Sequence, residues 1–144
     1  MQPDDTDWKI IDILRKGNQP NNKIANELGV SEGMIRRRIQ NLKDANVMEI
    51  KALINPEVLE NQQLAIIGVN VVESSLLDSK AKEISKLKNV LSVSIVSGRY
   101  DLMAELLIDS NKGLVKFLTE TLSKIKGISK TESFLLLKSY RKLV

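Results

Sequence analysis

The chain has 144 residues and a formal net charge of only +4, from 22 lysines and arginines against 18 aspartates and glutamates. It contains no histidine and no cysteine, which excludes Ser-His-Asp and Cys-His nucleophiles, metal sites built on those ligands, and disulfides. No apolar run reaches the ~18 to 20 residues of a membrane span, and the acidic N-terminal residues do not fit a signal peptide. We therefore expect a soluble, cytoplasmic binding protein with no catalytic residues, no metal and no cofactor.

Three short helices are predicted within the first fifty residues. Apolar residues recur at helical spacing, with capping residues at the ends, over residues 6–16, 22–28 and 32–45. Gly17 and Gly29 are expected to follow the first two helices in left-handed conformations, and Asn46 to end the third in the same way. Ser31 has the side chain to N-cap the third helix. The alternation of apolar residues over 47–54 then predicts a strand.

The second and third predicted helices have the spacing of a helix-turn-helix. The turn between them contains Gly29, the small residue Ala25 lies where the helices cross, and Ile35 fills the space between them. This motif presents its second helix to the DNA major groove. The strand that follows would act as a wing.

The outer face of the third helix has the side chains that read bases. Three of the chain's six arginines are consecutive here, Arg36 to Arg38. Arginine pairs with guanine, and glutamine or asparagine with adenine; a solvated basic face is the alternative interpretation. Arg38 points nearer the core, which favours a structural or phosphate-contacting role. The predicted DNA-binding residues are Ser31, Gly33, Met34, Arg36, Arg37, Arg38, Gln40, Asn41 and Lys51.

The second half of the chain has a different periodicity. Strands are predicted at 64–73, 91–95, 100–109 and 128–140, and helices at 77–88 and 114–125. The order βαββαβ predicts a ferredoxin-like sandwich with both helices on one face of an antiparallel sheet. The chain is therefore expected to be α+β, with a winged helix-turn-helix domain (1–55), a linker (56–63) and a ferredoxin-like domain (64–144).

The sheet face without helices is predicted to be a self-association surface, because too many of the residues outside the expected core are apolar. The residues that suggest this are Ile66, Val72, Val96, Leu107, Leu135 and Leu137.

Two sequence motifs, in this order and at this spacing, resemble one known family. The first runs from Ile24-Ala25-x-x-Leu28-Gly29-Val30-Ser31 into Met34-Ile35-Arg36-Arg37-Arg38-Ile39, and the second is Val96-Ser97-Gly98-Arg99-Tyr100-Asp101. Together they resemble the Lrp/AsnC, or feast/famine, regulators, in which the second motif is an SG-x-(Y/F)-D turn. The resemblance covers essentially the whole chain.

The resemblance implies a transcription regulator that binds double-stranded promoter DNA and associates with the nucleoid. Members dimerise through their sheets, often assemble into octamers, and usually bind an amino acid between ferredoxin-like domains. The effector residues implied for this chain are Ser97, Gly98, Arg99, Tyr100, Asp101, Thr131 and Ser133. A glycine turn exposes backbone N–H groups to a carboxylate, and Asp101 could hold an ammonium group. The alternative is a plain hairpin turn capped by Asp101.

Two other functions remain open from the sequence. An architectural protein could coat DNA without any effector. Siroheme decarboxylases resemble the family in fold, but their catalysis depends on histidine, which this chain lacks. The charge distribution does not decide between these functions, because residues 1–60 have a net charge of −1 and residues 61–144 a net charge of +5. The placement of three arginines, rather than net charge, points to DNA.

Overall fold

A computed structural model describes all 144 residues of the chain. They form two compact units, Met1–Ala52 and Leu53–Val144. In the interval predicted as a linker, the structure has a 3₁₀ turn at Pro56–Val58, and residues 62 and 63 already belong to the first strand. None of the helices combines the length and the apolar character that crossing a membrane requires.

The N-terminal unit contains three helices, each within one residue of its predicted bounds: α1 (Asp5–Lys16), α2 (Asn21–Leu28) and α3 (Glu32–Asp44). Their apolar stripes meet in one core, whose buried members are Ile10, Ile13, Ile24, Ala25 and Ile35. The core forms because each helix places apolar residues three and four positions apart on one face. The predicted helix-turn-helix arrangement is confirmed.

Local hydrogen bonds fix the ends of these helices. Asp4 caps α1, where its carboxylate and that of Asp7 accept reciprocal backbone N–H bonds of 2.9 and 3.1 Å in a capping box. Asn46 follows α3 with φ 54°, and the next N–H, of Val47, donates to Leu42 O at 2.9 Å, which is a Schellman closure. Gly17 differs from its prediction, since φ 159° and ψ 155° are extended and not left-handed helical values.

The strand predicted over 47–54 is absent from the structure, and this prediction was wrong. Residues 47–55 have no regular secondary structure. Alternating apolar residues can form a strand only where a partner supplies the other half of the ladder, and the N-terminal unit has no such partner. Ile54 exchanges two backbone hydrogen bonds with Val144, both of them in the C-terminal unit, at 2.7 and 3.0 Å.

The C-terminal unit is the predicted ferredoxin-like βαββαβ sandwich. Its elements are β1 (Gln62–Val71), α4 (Leu77–Ser85), β2 (Val90–Ile95), β3 (Leu102–Asp109), α5 (Gly113–Lys116) and β4 (Ile128–Leu135). A 3₁₀ turn, Ser74–Leu76, leads into α4. α5 continues through a π-helical turn, Phe117–Thr121, and a 3₁₀ turn, Leu122–Lys124. The strands are antiparallel in the order β2-β3-β1-β4.

The helices cover one face of this sheet. Alternate residues of β1 and β3 are buried against Ile84 of α4 and against Phe117 and Leu122 beyond α5. Intervening residues occupy the opposite face, which we call the open face, as strand alternation requires. The open-face residues of the three strands that matter below are Ile66, Gly68, Met103, Glu105, Glu132 and Phe134.

The last strand ends earlier than predicted, at Leu135 and not at Tyr140. Leu135 pairs with Ala65 and so lies on the helix side of the sheet, whereas Leu137 lies beyond the strand and is 89% exposed. The residues that follow the last strand fold back onto the open face, where Lys142 forms an ion pair with Glu105. Of the apolar residues expected on the open face, Ile66 of β1 and Leu107 of β3 do lie there by strand alternation, but Leu135 does not.

Candidate nucleic-acid interface and effector turn

The turn between α2 and α3 has the left-handed glycine and the close helix packing of a helix-turn-helix. Gly29 adopts the left-handed conformation, with φ 67° and ψ 34°, that its missing side chain permits. The next residue, Val30, donates its N–H to Ala25 O at 3.0 Å and closes the helix end. Ala25 and Ile35 are buried, at 3% and 0% exposure, where α2 and α3 pack together. These contacts fix the orientation of α3 and leave its outer face open.

The outer face of α3 holds most of the predicted DNA-binding residues. Arg36, Arg37 and Asn41 are exposed and make no hydrogen bond or ion pair, whereas the exposed Gln40 donates its side-chain amide to Asp44 at 2.7 Å. Ser31 caps α3 by accepting the N–H of Met34 at 3.2 Å. The structure also leaves Gly33 and Met34 exposed near the helix N-terminus. The unpartnered donors are therefore two guanidinium groups and one amide.

Arg38 differs from its two neighbours because it is held inside the unit. One guanidinium nitrogen lies 2.7 Å from Asp4 Oδ2 and 2.8 Å from Asp7 Oδ1. Asp7 is buried, at 4% exposure, so Arg38 supplies the charge that this carboxylate needs. The hydrogen bond to Arg38 lowers the pKa of Asp4, and the bonds to Asp4 and Asp7 raise the pKa of Arg38. The geometry favours the structural role for Arg38.

Lys51, expected on a wing strand, lies instead in the irregular segment after α3. Its ammonium group is exposed and lies 3.5 Å from a carboxylate oxygen of Glu49. An exposed pair of this kind is weak, so the ammonium remains available to a phosphate.

The predicted effector turn, residues 97–101, connects β2 to β3. Ser97, Gly98 and Arg99 are exposed. Asp101 faces inward: its Oδ2 accepts the N–H of Val71 at 2.9 Å, and its own N–H donates to Asn70 Oδ1 at 3.0 Å. The Val71 N–H belongs to a position where the pairing of β1 with β4 shifts register. Asp101 therefore satisfies a backbone donor that the ladder leaves free, which is a structural function for this carboxylate.

Tyr100 lies on the open face of the sheet, directly over Gly68. A Cβ atom at position 68 would come within 2.5 Å of the Tyr100 ring, so only glycine fits beneath it. The ring also meets Phe134 of β4 edge to face, with centroids 6.1 Å apart and planes at 73°. Tyr100 thus joins the effector turn to two strands of the sheet.

Thr131 and Ser133 are not brought together with Tyr100. Their cross-strand partners are Val69 and Ile67, both buried on the helix side, so the two hydroxyls lie on the opposite face from the Tyr100 ring. The residues of β4 on the same face as Tyr100 are Glu132 and Phe134. Sequence reasoning missed Phe134 and Gly68, although a glycine in the middle of an apolar strand signals a close approach by another group.

Comparisons with known proteins match both units. A family model for the Lrp/AsnC ligand binding domain matches residues 64–143, and one for winged helix-turn-helix DNA-binding matches residues 3–47. An uncharacterised HTH-type transcriptional regulator of Pyrococcus furiosus is 32% identical over 135 residues, covering 92% of this chain and 90% of that protein.

Two solved structures have the same fold. The leucine response regulatory protein of Mycobacterium tuberculosis has a TM-score of 0.81 at 20% identity, covering 97% of this chain and 96% of that one. A transcriptional regulator of Neisseria meningitidis in complex with L-Met has a TM-score of 0.69 at 24% identity, covering 98% and 94%.

Proposed function

The chain belongs to the Lrp/AsnC family of transcriptional regulators, and from this premise we propose that α3 reads promoter DNA in the major groove, with Arg36, Arg37 and Asn41 contacting bases. The observation that carries this proposal is the outer face of α3, where these three side chains are exposed and unpartnered while Ile35 is fully buried on the opposite face.

The other predicted residues take supporting roles. Ser31 and Met34 lie in the first turn of α3, where backbone N–H groups attract phosphate, and Gly33 lets the helix approach the groove closely. Gln40 reaches a base by releasing Asp44. Lys51 contacts a phosphate. Arg38 acts indirectly, by fixing α3 to α1.

Arg37→Ala tests this assignment. Loss of a bidentate base contact should cost about 1 to 3 kcal/mol of binding free energy and relax specificity at one base pair. The measurement is the dissociation constant for a duplex selected by the wild type and for its single-base variants. Arg15→Ala is the matched control, since Arg15 is an exposed arginine of the same unit outside α3. Equal affinity and unchanged base preference for Arg37→Ala would contradict the role of α3.

The ligand that modulates DNA binding is proposed to be an amino acid, bound beside the turn 97–101. Three observations support an effector there: the match to a ligand binding domain over residues 64–143, the L-Met complex of the Neisseria meningitidis regulator, and the exposure of Ser97 and Gly98. Asp101 Oδ2 already accepts the N–H of Val71, so the ammonium group of the ligand would contact the other carboxylate oxygen of Asp101. Thr131 and Ser133 would reach the ligand only from the helix side of the sheet.

Homodimers formed through the open face, and assembly of dimers into octamers, complete the proposal. Phe134 is 41% exposed on that face, where a second sheet would cover it. The protein is proposed to act on chromosomal DNA and to be a regulator and not an enzyme, in keeping with matched relatives that are named transcriptional regulators.

A further inference from the structure

Positive charge in this chain is concentrated in the helical layer of the C-terminal unit. Residues 74–88 and 112–126 contain eight lysines against three acidic residues, whereas the remainder of residues 61–144 has five basic and five acidic residues. The whole excess of this half therefore lies on α4, on the α5 segment and on their flanks. The core of the unit does not account for this charge, since the residues of the core between these helices and the sheet are apolar.

Three of these lysines lie around one cleft. Lys88 and Lys116 line a cavity of about 230 Å³ between the start of β2 and the helical turns that begin with α5. Lys112 directly precedes Gly113, which also lines this cavity. All three side chains belong to exposed residues, and none forms an ion pair. The acid of the cleft, Asp109, accepts the N–H of Asn111 at 2.7 Å. We call these three residues the lysine cluster.

Two other lysines of the same unit are already paired with carboxylates. Lys80 lies 2.8 Å from Glu83, and Lys142 pairs with Glu105. The N-terminal unit, Met1–Ala52, has nine basic and eight acidic residues, and one of its arginines is held by Asp4 and Asp7. The main reserve of unpaired positive charge in this DNA-binding protein is therefore outside its helix-turn-helix.

We propose that the helical layer, centred on Lys88, Lys112 and Lys116, binds the phosphate backbone of duplex DNA independently of sequence. Lysine is a compact point charge that suits phosphate contact, whereas arginine, as on α3, suits base edges. We favour duplex DNA over an acidic protein as the partner of this surface. A duplex that is bound by the N-terminal unit is present near the C-terminal unit at high effective concentration. This inference rests on the proposed function, since it requires that the chain bind DNA.

The test is the salt dependence of binding by the full chain. Each phosphate contact adds about 0.9 to the slope of log K against log salt. Relative to the triple variant Lys88→Gln/Lys112→Gln/Lys116→Gln, the wild type should therefore lose roughly 40-fold more affinity between about 50 and 200 mM salt. The loss should be equal for a selected and a random-sequence duplex. Lys130→Gln/Lys138→Gln/Arg141→Gln removes the same charge from the same unit outside the helical layer and should retain the wild-type slope.

The outcomes separate this proposal from the one on which it rests. A wild-type slope for the triple variant, or an equal change in the control, overturns the lysine cluster as a DNA contact and leaves an acidic protein as its partner. If Arg37→Ala still abolishes base discrimination in that case, the role of α3 survives. If the wild type binds neither duplex, both proposals fail.

Discussion

Of the chain's glycines, Gly68 leaves the least room for a side chain, because the Tyr100 ring lies against it. The aromatic ring occupies the space that any side chain at position 68 would need, and it covers a stretch of β1 that has no side chain of its own. A ring over a strand glycine restores some of the cross-strand packing that the glycine forfeits. Because Tyr100 also belongs to the effector turn, the position of that turn depends on the absence of a single methyl group.

Gly68→Ala should therefore destabilise the C-terminal unit by about 1 to 3 kcal/mol, as overpacking does in other cores, and should displace the Tyr100 ring. Urea denaturation gives the stability, and the near-ultraviolet circular dichroism of the tyrosines reports the ring. Gly33→Ala is the control, because a Cβ there meets nothing within 4 Å and improves helix propensity. Wild-type stability together with an unchanged tyrosine signal in Gly68→Ala would show that the ring is not held by Gly68.

Residue-level prediction from the sequence succeeded where the neighbours are local. The outer face of α3 follows from spacing within one helix, so the sequence could place Arg37 and Asn41 opposite Ile35. Thr131 and Ser133 could not be placed in the same way, because their face depends on the register of β4 against β1. A register shift of one residue exchanges the two faces of a strand.

Among the elements, α1 and α3 are joined by a charged contact as well as by their shared core. Arg38 reaches from α3 to the N-cap of α1 and to Asp7 in its first turn. Loss of this contact would loosen the cap and the orientation of α3 together. The position of α3, which we propose reads DNA, is therefore sensitive to the protonation of Asp4.

The N-terminal unit should lose stability in acid. Arg38 lowers the pKa of Asp4 from its ordinary value of 3.8, so the folded state binds a proton less readily than the unfolded state. The stabilisation is fully present above 3.8 and is lost as the pH falls through the lower folded-state pKa. Thermal unfolding followed by Trp8 fluorescence should show less acid destabilisation for Asp4→Asn than for the wild type. Asp12→Asn, on the same helix, should behave as the wild type does; identical acid profiles for Asp4→Asn and the wild type would contradict this mechanism.

The elements that the sequence predicted well are those with local signals at both ends. Side-chain caps mark the starts of α1 and α3, and a left-handed glycine or asparagine marks the ends of α2 and α3. The wing strand and the long last strand were mispredicted because a strand ends where its partner ends, and the partner is distant in sequence. Leu136 still donates its N–H to Leu64 O at 3.0 Å, but β1 begins at Gln62, so the register leaves residues 139 and 140 with no β1 residue to pair with.

At the scale of the whole molecule, the N-terminal unit matches a DNA-binding domain and the C-terminal unit matches a ligand binding domain. An amino acid that binds only the folded C-terminal unit should stabilise it by about 2.7 kcal/mol when present at about a hundred times its dissociation constant. A thermal-shift screen of the twenty amino acids would identify it, with the D-enantiomer of any hit as control. Light scattering with and without the hit measures assembly. No shift with any amino acid would favour an architectural protein, and a monomer under all conditions would contradict the dimer.

The aromatic residues are distributed so that each unit has its own optical signal. The single tryptophan, Trp8, is in α1 of the N-terminal unit, and both tyrosines, Tyr100 and Tyr140, are in the C-terminal unit. Selective excitation of the indole therefore observes the DNA-binding half alone, without a label. The phenol of Tyr100, enclosed between Gly68 and Phe134, observes the ligand-binding half. One unmodified sample can thus reveal whether an event in one half is transmitted to the other.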